Sequence, residues 1–403
     1  MLKLRRMRKI YKDGTHRIKD PEETLSEIDP KLKVVGATRV SDITGLDRVG
    51  IPIYSVVRPT AAEGAISVYS GKGLNKSLAK ISAIMECYER YSAEFKNNDK
   101  DITIKGTYNS LRRELNLLDP EELVLPKEVP SSRDLVLRWI EGFDLMSDER
   151  IYVPVSAVFH PYSPEEDFHL FRTNTNGLAS GNSIEEAIFH GLMEVIERDA
   201  WSISELHRNG GRVIIPENNS IVGELIEKFE EKSIHIILRD ITTDLGIPVV
   251  AAVSDDTELR DPALLTIGFG AHSDPEVSAI RALLEVAQSR VVQIQGARED
   301  TIKAEVMRRI GYERMKRINK HWFDSQSEVK LSVLPKFSSE FIDDDIRTSL
   351  NYLKSRGFDR VIVVDLTRPE LNVPTVRVIV PGLEVYGMDS TRVGERAINY
   401  FKK

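Results

Sequence analysis

From Ile184 onward the chain alternates helical apolar periodicity with short apolar runs of strand length, and few architectures accommodate that alternation. Ile184 to about Arg208 and Ile221–Lys232 predict helices; Ile234–Arg239, Val249–Val253 and Leu264–Gly268 predict strands. Pro275–Gln295, Ala304–His321 and Asp343–Arg356 predict further helices, and Val361–Asp365 and Val376–Val380 strands that end at the turn Pro381-Gly382. Interleaved helices and strands must cover one another's apolar faces, so the fold class is α/β in the mixed α+β sense. Residues 1–70 read as extended and turn-rich, punctuated by Gly36, Gly45, Gly50, Pro52, Pro59 and Gly64. A helix from about Asn75 to Lys96 follows the turn Ser70-Gly71-Lys72-Gly73 and ends at the polar stretch Asn97–Gly106. A short helix near Ser110–Asn116 and strands at Leu137–Phe143 and Ile151–Val155 precede a loop, TNTNGLASGNS. With no low-complexity linker, residues 1–403 read as one elaborate domain, with subdomains at about 1–70, 71–210 and 211–403.

Charge and cysteine usage narrow the function classes. Fifty-six basic against 63 acidic residues give a net charge of −7, which argues against a nucleic-acid-coating protein. The single cysteine, Cys87, excludes a disulfide framework and a cysteine-built zinc site, and fits a reducing cytoplasm. No run approaches the roughly 20 apolar residues that span a bilayer. The basic N-terminus, MLKLRRMRKIYK, has no apolar stretch behind it; it reads as a solvated or surface-packed arm, not a signal peptide.

The chemistry-bearing residues are carboxylates at helical spacing. At 100° per residue, Glu86, Glu89 and Arg90 share one helix face, joined by Ser82. A lone pattern of this kind is usually a solvated face with Glu–Arg pairs. A second helix repeats it: Met85–Arg90 echoes Met193–Arg198 at an offset of 108 residues, and Asn182, Glu186, Glu194, Glu197 and Arg198 share a stripe. Asn182 stands at the helix start, where its ordinary role is a cap. From Asn182 to Glu197 is roughly 22 Å of helix axis, too far for one ion. Two ions, or one polyanionic ligand with ions along it, would use such a stripe, and hard oxygen donors suit Mg²⁺. A third helix places Arg281, Glu285 and Gln288 together. His190 reads as a packed or hydrogen-bonding histidine. The chain has no P-loop; Ser70-Gly-Lys-Gly73 reads as a turn entering a helix, or as a place for Lys72 near phosphate oxygens.

These segments resemble the YcaO family. The resemblance runs through GATRVSDITGLDRVGIPIYSVVRP (36–59), SGKGLNKSLAKISAIMECYERYS (70–92), NTNGLASGNSIEEAIFHGLMEVIERDA (174–200), Glu285–Arg290 with GARED (296–300), and VRVIVPGLE (376–384). It implies an ATP-binding fold of mixed sheets and long helices that phosphorylates a peptide amide oxygen, with ATP and Mg²⁺ as cofactors. By the same resemblance Glu86, Glu89, Glu186, Glu194 and Glu197 are metal ligands. Ser82, Arg90, Asn182, Arg198 and Gln288 then contact the nucleotide or its phosphates, Glu285 belongs to the same site, and Lys72 joins them from the glycine-flanked reading above; no residue is assigned as acid or base.

The subclass depends on what attacks the activated amide. Sulfide gives a thioamide; a neighbouring Cys, Ser or Thr gives an azoline. Azoline-forming members often end in a proline-rich tail, whereas this sequence ends in RAINYFKK, which favours the thioamide class. Tail-less members of this size resemble those of methane-producing archaea. That likeness implies thioglycine formation in the methyl-coenzyme M reductase α-subunit, a TfuA-like partner, sulfide or a sulfur-donor protein, and a homodimer. The alternatives are an azoline-forming cyclodehydratase and a non-catalytic ATP-binding accessory protein.

Overall fold

Strand β1 (Arg39–Asp42), β2 (Ile53–Val57) and β3 (Val68–Lys72) form an antiparallel sheet in that order. The computed structural model describes residues 3–163, 166–217, 219–297, 303–324 and 327–402, so the GARED segment lies outside them from residue 298 on. Strands β4 (Thr103–Gly106), β5 (Leu137–Asp144), β6 (Glu149–Pro154) and β7 (Leu178–Ser180) begin a second sheet. Strands β8 (Arg212–Ile215), β9 (Ile234–Asp240), β10 (Val249–Asp256), β11 (Ile267–Ala271) and β12 (Glu328–Lys330) make a third, ordered β11-β10-β9-β8-β12. Its β8–β12 pair is parallel. Strands β13 (Ile362–Asp365) and β14 (Thr375–Ile379) return to the second sheet, giving β4-β5-β13-β14-β7 with β6 on β5.

The helices are α1 (Pro21–Ile28), α2 (Lys76–Ala93), α3 (Tyr108–Leu111), α4 (Ile184–His207), α5 (Ile221–Glu230) and α6 (Pro275–Gln295), then α7 (Lys303–Ile310), α8 (Tyr312–Ile318), α9 (Lys320–Phe323), α10 (Ile342–Ser355) and α11 (Glu395–Asn399). Mixed α/β architecture is thus as the periodicity predicts.

Two of the helices are placed by the faces of strand β10, which is buried along its whole length. Side chains alternate across a strand. Val249, Ala251 and Val253 pack with Ile188, Leu192 and Ile196 of α4 on one side, while Val250 and Ala252 pack with Ala279, Ile280 and Leu283 of α6 on the other. The far side of α4 meets Val376 and Val378 of β14. A helix held between two sheets must be apolar nearly all round. The carboxylates on α4 therefore stand out as residues kept against the burial trend.

Several boundaries depart from the expectations. Residues 1–70 contain α1, which carries a legible start signal: Asp20 caps Glu22 N at 2.9 Å, Pro21 follows, and Glu22 and Glu23 fill the first turn. The predicted helix Ala304–His321 is broken into α7, α8 and α9: Gly311, at φ +89°, separates α7 from α8, and Asn319 separates α8 from α9. The predicted strand Leu264–Gly268 begins later, at Ile267, since Asp261 caps a short 3-10 turn at Pro262–Leu264. The helix near Ser110–Asn116 is α3, started earlier by a Thr107–Ser110 capping box. The loop TNTNGLASGNS contains β7.

The N-terminal arm packs against the molecule. Lys9 is buried and its Nζ donates to Asp345 Oδ2 at 2.6 Å, while Arg5 makes two 2.9 Å side-chain bonds to Glu185. Among the described residues, no helix is long and apolar enough to cross a membrane.

Candidate functional site

Each of the helices α2, α4 and α6 follows directly on a strand, β3, β7 and β11, and folds back over it. The contact is close. A β-carbon on Gly71 would stand 1.9 Å from the Ala83 nitrogen, and one on Gly268 would stand 2.2 Å from the Ala282 carbonyl oxygen, so only glycine permits either approach. The segment Ser70–Gly73 is therefore the end of a strand against a helix, not the turn the sequence suggested. Side-chain oxygens of Asn75, Ser183 and Asp274 cap the three helices. Asn182 is not the cap; it precedes Ser183, accepts from Thr24 Oγ1 at 3.0 Å and donates to Glu186 Oε1 at 3.3 Å.

The three helices enclose a cavity of about 570 Å³, and all twelve residues singled out in the sequence line it. From α2 come Ser82, Glu86, Glu89 and Arg90; from α4 and its approach come Asn182, Glu186, Glu194, Glu197 and Arg198; from α6 come Glu285 and Gln288; Lys72 enters from β3. The intrahelical pair of the ordinary reading exists, with Arg90 Nη2 3.1 Å from Glu86 Oε1, but it faces this cavity. Lys72 Nζ donates to Glu285 Oε2 at 2.8 Å, and Gln288 Nε2 donates to the Ser70 hydroxyl at 3.0 Å, tying β3 to α6. Ser180 donates its N–H and its hydroxyl to Glu89 Oε1 at 2.9 and 2.8 Å, and Ala271 N donates to Glu197 Oε2 at 3.2 Å.

Burial dominates the electrostatics. It pushes Glu89 up to about 7 against the opposing Ser180 bond and Arg90 charge. It pushes Glu197 up to about 7 as well, opposed by Arg198 and assisted by Glu285, and it raises Glu194. At Glu285 burial also favours the neutral acid, but Lys72 and Arg198 outweigh it and hold the carboxyl below its ordinary value. Carboxylates that burial penalises in this way are stabilised by a further cation. Arginine supply is uneven: Arg90, Arg198 and Arg281 each keep a buried Nε without a partner among the described residues. Carboxylates beside unfilled arginine donors are what a metal–polyphosphate ligand requires, so the residues present fit Mg²⁺ with a nucleotide. No three His, Cys, Asp or Glu side chains among the described residues gather tightly enough to cage an ion alone. That also fits Mg²⁺, which is commonly held by one or two carboxylates plus phosphate oxygens and water.

Residues 70–384 match the family described as YcaO cyclodehydratase, ATP- and Mg²⁺-binding. The chain belongs to the YcaO family. A YcaO protein of Methanopyrus kandleri, solved with AMPPCP and Mg²⁺, superposes with a TM-score of 0.80 at 32% identity, covering 96% of this chain and 98% of that one. An uncharacterized protein of Methanothermobacter thermautotrophicus is 51% identical over 381 residues, 93% of this chain and 97% of the relative. An uncharacterized protein in the tfuA 3′ region of Rhizobium leguminosarum bv. trifolii is 31% identical over 94% of this chain and 91% of its own length. YcaO proteins are an ATP-utilising enzyme class that acts on peptides, and ATP and Mg²⁺ are the family's cofactors.

The cavity also contains residues the sequence did not point to. The segment Gly14–Lys19 closes one side; it lies just beyond the basic stretch read as a surface arm, within the residues read as extended and turn-rich. Arg17 Nε lies 3.3 Å from Glu186 Oε1, and Arg17 Nη1 contacts His190 Nε2. Burial, with Arg17 and Arg281 nearby, holds His190 well below its ordinary value, so it is neutral and hydrogen-bonding as expected. Arginines on both sides of a carboxylate stripe carry no helical period when one of them sits in irregular chain, which is why Arg17 was invisible to spacing arguments.

Proposed function

We propose that this YcaO protein activates a peptide-backbone amide by O-phosphorylation and directs sulfide onto it, giving a thioamide. The substrate we infer is a glycine of the methyl-coenzyme M reductase α-subunit, with a TfuA-like partner, a sulfide or sulfur-donor source, and a homodimeric, cytoplasmic enzyme. One observation carries the phosphorylating half: acidic side chains of three separate helices meet unfilled arginine donors around one cavity. The thioamide half is supported by the relative encoded beside tfuA and by the buried lone Cys87, whose thiol burial pushes up to about 12. Burial so disfavours the thiolate that a sulfur carrier needs, and on this reading sulfur arrives from free sulfide or a partner.

Within this reading, Glu86, Glu89, Glu186, Glu194 and Glu197 hold Mg²⁺. Bound there, Mg²⁺ supplies charge neutralisation for the triphosphate and orientation of the transferring group. Arg90 and Arg198 offer forked donors to the phosphoryl oxygens, where negative charge gathers during transfer. Lys72 and Gln288 hold Glu285 and Ser70 in place, so that β3 and α6 keep a fixed separation across the ligand. Arg17 orients Glu186. On this reading phosphoryl transfer proceeds by positioning and electrostatics.

The test is one incubation of the purified protein with ATP, Mg²⁺, sulfide and a glycine-containing peptide, followed by mass and nucleotide measurement. Thioamidation adds about 16 Da and forms ADP in step; loss of about 18 Da without sulfide would indicate the cyclodehydratase alternative. Nucleotide binding with no peptide-dependent turnover would indicate an accessory protein.

A further inference from the structure

Strand β14 carries a charge where its pattern calls for an apolar residue. Arg377 lies between Val376 and Val378, and is only 3% exposed. Its Nε donates to the Ala157 carbonyl at 2.9 Å and its Nη2 to the Asn174 carbonyl at 2.6 Å. The remaining nitrogen, Nη1, is buried with no partner, and no carboxylate forms an ion pair with this arginine among the described residues. Arg392 is likewise a buried arginine bonded to a carbonyl. It is 5% exposed, donates Nε to the Val124 carbonyl at 2.6 Å and lies 3.8 Å over the Phe171 ring. Buried guanidiniums whose hydrogen bonds go to neutral carbonyls are costly, and the carboxylates near them, Glu194 for Arg377 and Asp389 and Glu384 for Arg392, do not outweigh the burial.

Both arginines line a second cavity of about 60 Å³. About 10–15 Å³ of such space holds one water, so this cavity suits a ligand of a few heavy atoms and is far smaller than the one enclosed by α2, α4 and α6. Its wall with the larger cavity is one residue thick on two elements. Thr175 lines the large cavity, while Asn174 and Asn176 line the small one; on α4, Glu194 lines the large and Val195 the small. Asn176 brings a second unsatisfied group, a buried Oδ1 without a partner. The residues around the chamber thus include a cationic donor and an acceptor without partners among the described residues, beside apolar walls that include Leu123, Phe171 and Val378. An anion carrying one hydrogen, polarisable and weakly hydrated, answers both groups.

We propose that this chamber is a small-anion site that takes hydrosulfide and delivers it to the activated amide in the adjoining cavity. The delivery, though not the anion site itself, rests on the thioamide reading above. The chemistry balances without an oxidant or reductant. Activation breaks the β–γ P–O bond of ATP, forms a P–O bond to the amide oxygen and releases the amide N–H proton. Hydrosulfide then forms the C–S bond, the C–O bond breaks, and the S–H proton ends on nitrogen. Phosphate leaves with the former amide oxygen and the proton released earlier, so amide, ATP and HS⁻ give thioamide, ADP and hydrogen phosphate.

Two measurements on the full chain test this. The first is binding: crystals of the wild type soaked in sodium bromide, read by anomalous scattering, with sodium hydrosulfide and inorganic phosphate compared by thermal-shift titration. Bromide density beside Arg377 and stabilisation by hydrosulfide are expected, with both lost in Arg377→Met. Arg392→Met leaves Arg377's carbonyl bonds in place and serves if the first variant does not fold; it is expected to weaken hydrosulfide binding. No bromide in the chamber, or stabilisation by phosphate alone, overturns the assignment. The second is kinetic: Arg377→Met is expected to raise the KM for sulfide roughly 10–100-fold with the KM for ATP unchanged, as for loss of a charged hydrogen bond. An unchanged KM for sulfide overturns the delivery role. A bromide site in a protein that never adds sulfur to peptide would defeat the thioamide reading and the delivery together while leaving the anion site standing.

Discussion

Glu89 and Glu197 hold protons that ordinary carboxyls have already released. Burial raises each from an ordinary 4.5 to about 7. Between those values the native state binds more protons than the unfolded chain, so stability falls as pH rises through the window. Relative to Glu89→Gln/Glu197→Gln, the ligand-free wild type is therefore expected to lose stability between about pH 5.5 and about pH 7.5. The opposing contribution of the buried histidines His16, His160, His190 and His272, whose burial holds them below their ordinary value, is common to both proteins and cancels in the difference. Thermal melts of both proteins across pH check this; a Tm difference between them that stays constant from about pH 5.5 to about pH 7.5 would contradict the assignment. Arg17 yields a second expectation. Arg17→Gln removes the cation paired with Glu186 and should raise the KM for Mg²⁺·ATP by about tenfold, equivalent to about 1.4 kcal/mol, while leaving Tm nearly unchanged. Steady-state kinetics at varied ATP decide it. At this scale the sequence was informative where chemistry rode on helical spacing: twelve residues, from Lys72 to Gln288, line one cavity. It was silent where a residue's neighbours come from irregular chain, as with Arg17, and it passed over Arg377, although a charge inside VRVIV was there to be noticed.

The elements that matter are three strand–helix units, and their glycines set the distance between strand and helix. Gly71→Val should push α2 away from β3, because the new side chain begins inside the Ala83 backbone. We expect a loss of about 1–3 kcal/mol in urea unfolding, with loss of nucleotide binding beyond what the destabilisation explains. A variant with wild-type affinity would show that the strand–helix spacing does not position the site. Long periodic helices were legible nearly to the residue: α6 occupies Pro275–Gln295 as predicted, and α4 ends one residue before the expected Arg208. Short strands were not. β7 is three residues long, and its Leu-Ala-Ser lies between turn-forming residues, so its pairing with β14 decides its conformation and local propensity does not. The α1 helix was missed despite its Asp-Pro-Glu-Glu start, because glycine- and proline-rich surroundings outweighed one cap signal.

For the whole molecule, the site depends on an arm that crosses from the N-terminus to α10. Lys9 and Asp345 are both fully buried, and Ser273 and Ser339 also donate to Asp345. Removing the cation alone leaves a buried carboxylate short of its counter-charge. Lys9→Met is expected to cost about 3–5 kcal/mol by chemical denaturation, and Lys9→Met/Asp345→Leu much less. Equal losses in the two would mean that the pair does not anchor the arm. The arm carries Gly14–Lys19 to the cavity, so its loosening should also weaken nucleotide binding. Fold class followed from the alternation of elements; the packing of an arm, and the seating of α4 between two sheets, follow from long-range contacts that no local pattern encodes. The central claim is that α2, α4 and α6 bind one ligand together. Calorimetric titration of Mg²⁺·AMPPCP into the wild type and into Glu86→Gln, Glu194→Gln and Glu285→Gln tests it most directly. Convergence predicts that each substitution, on its own helix, weakens binding by roughly tenfold or more while the folded state persists; wild-type affinity in all three would contradict it.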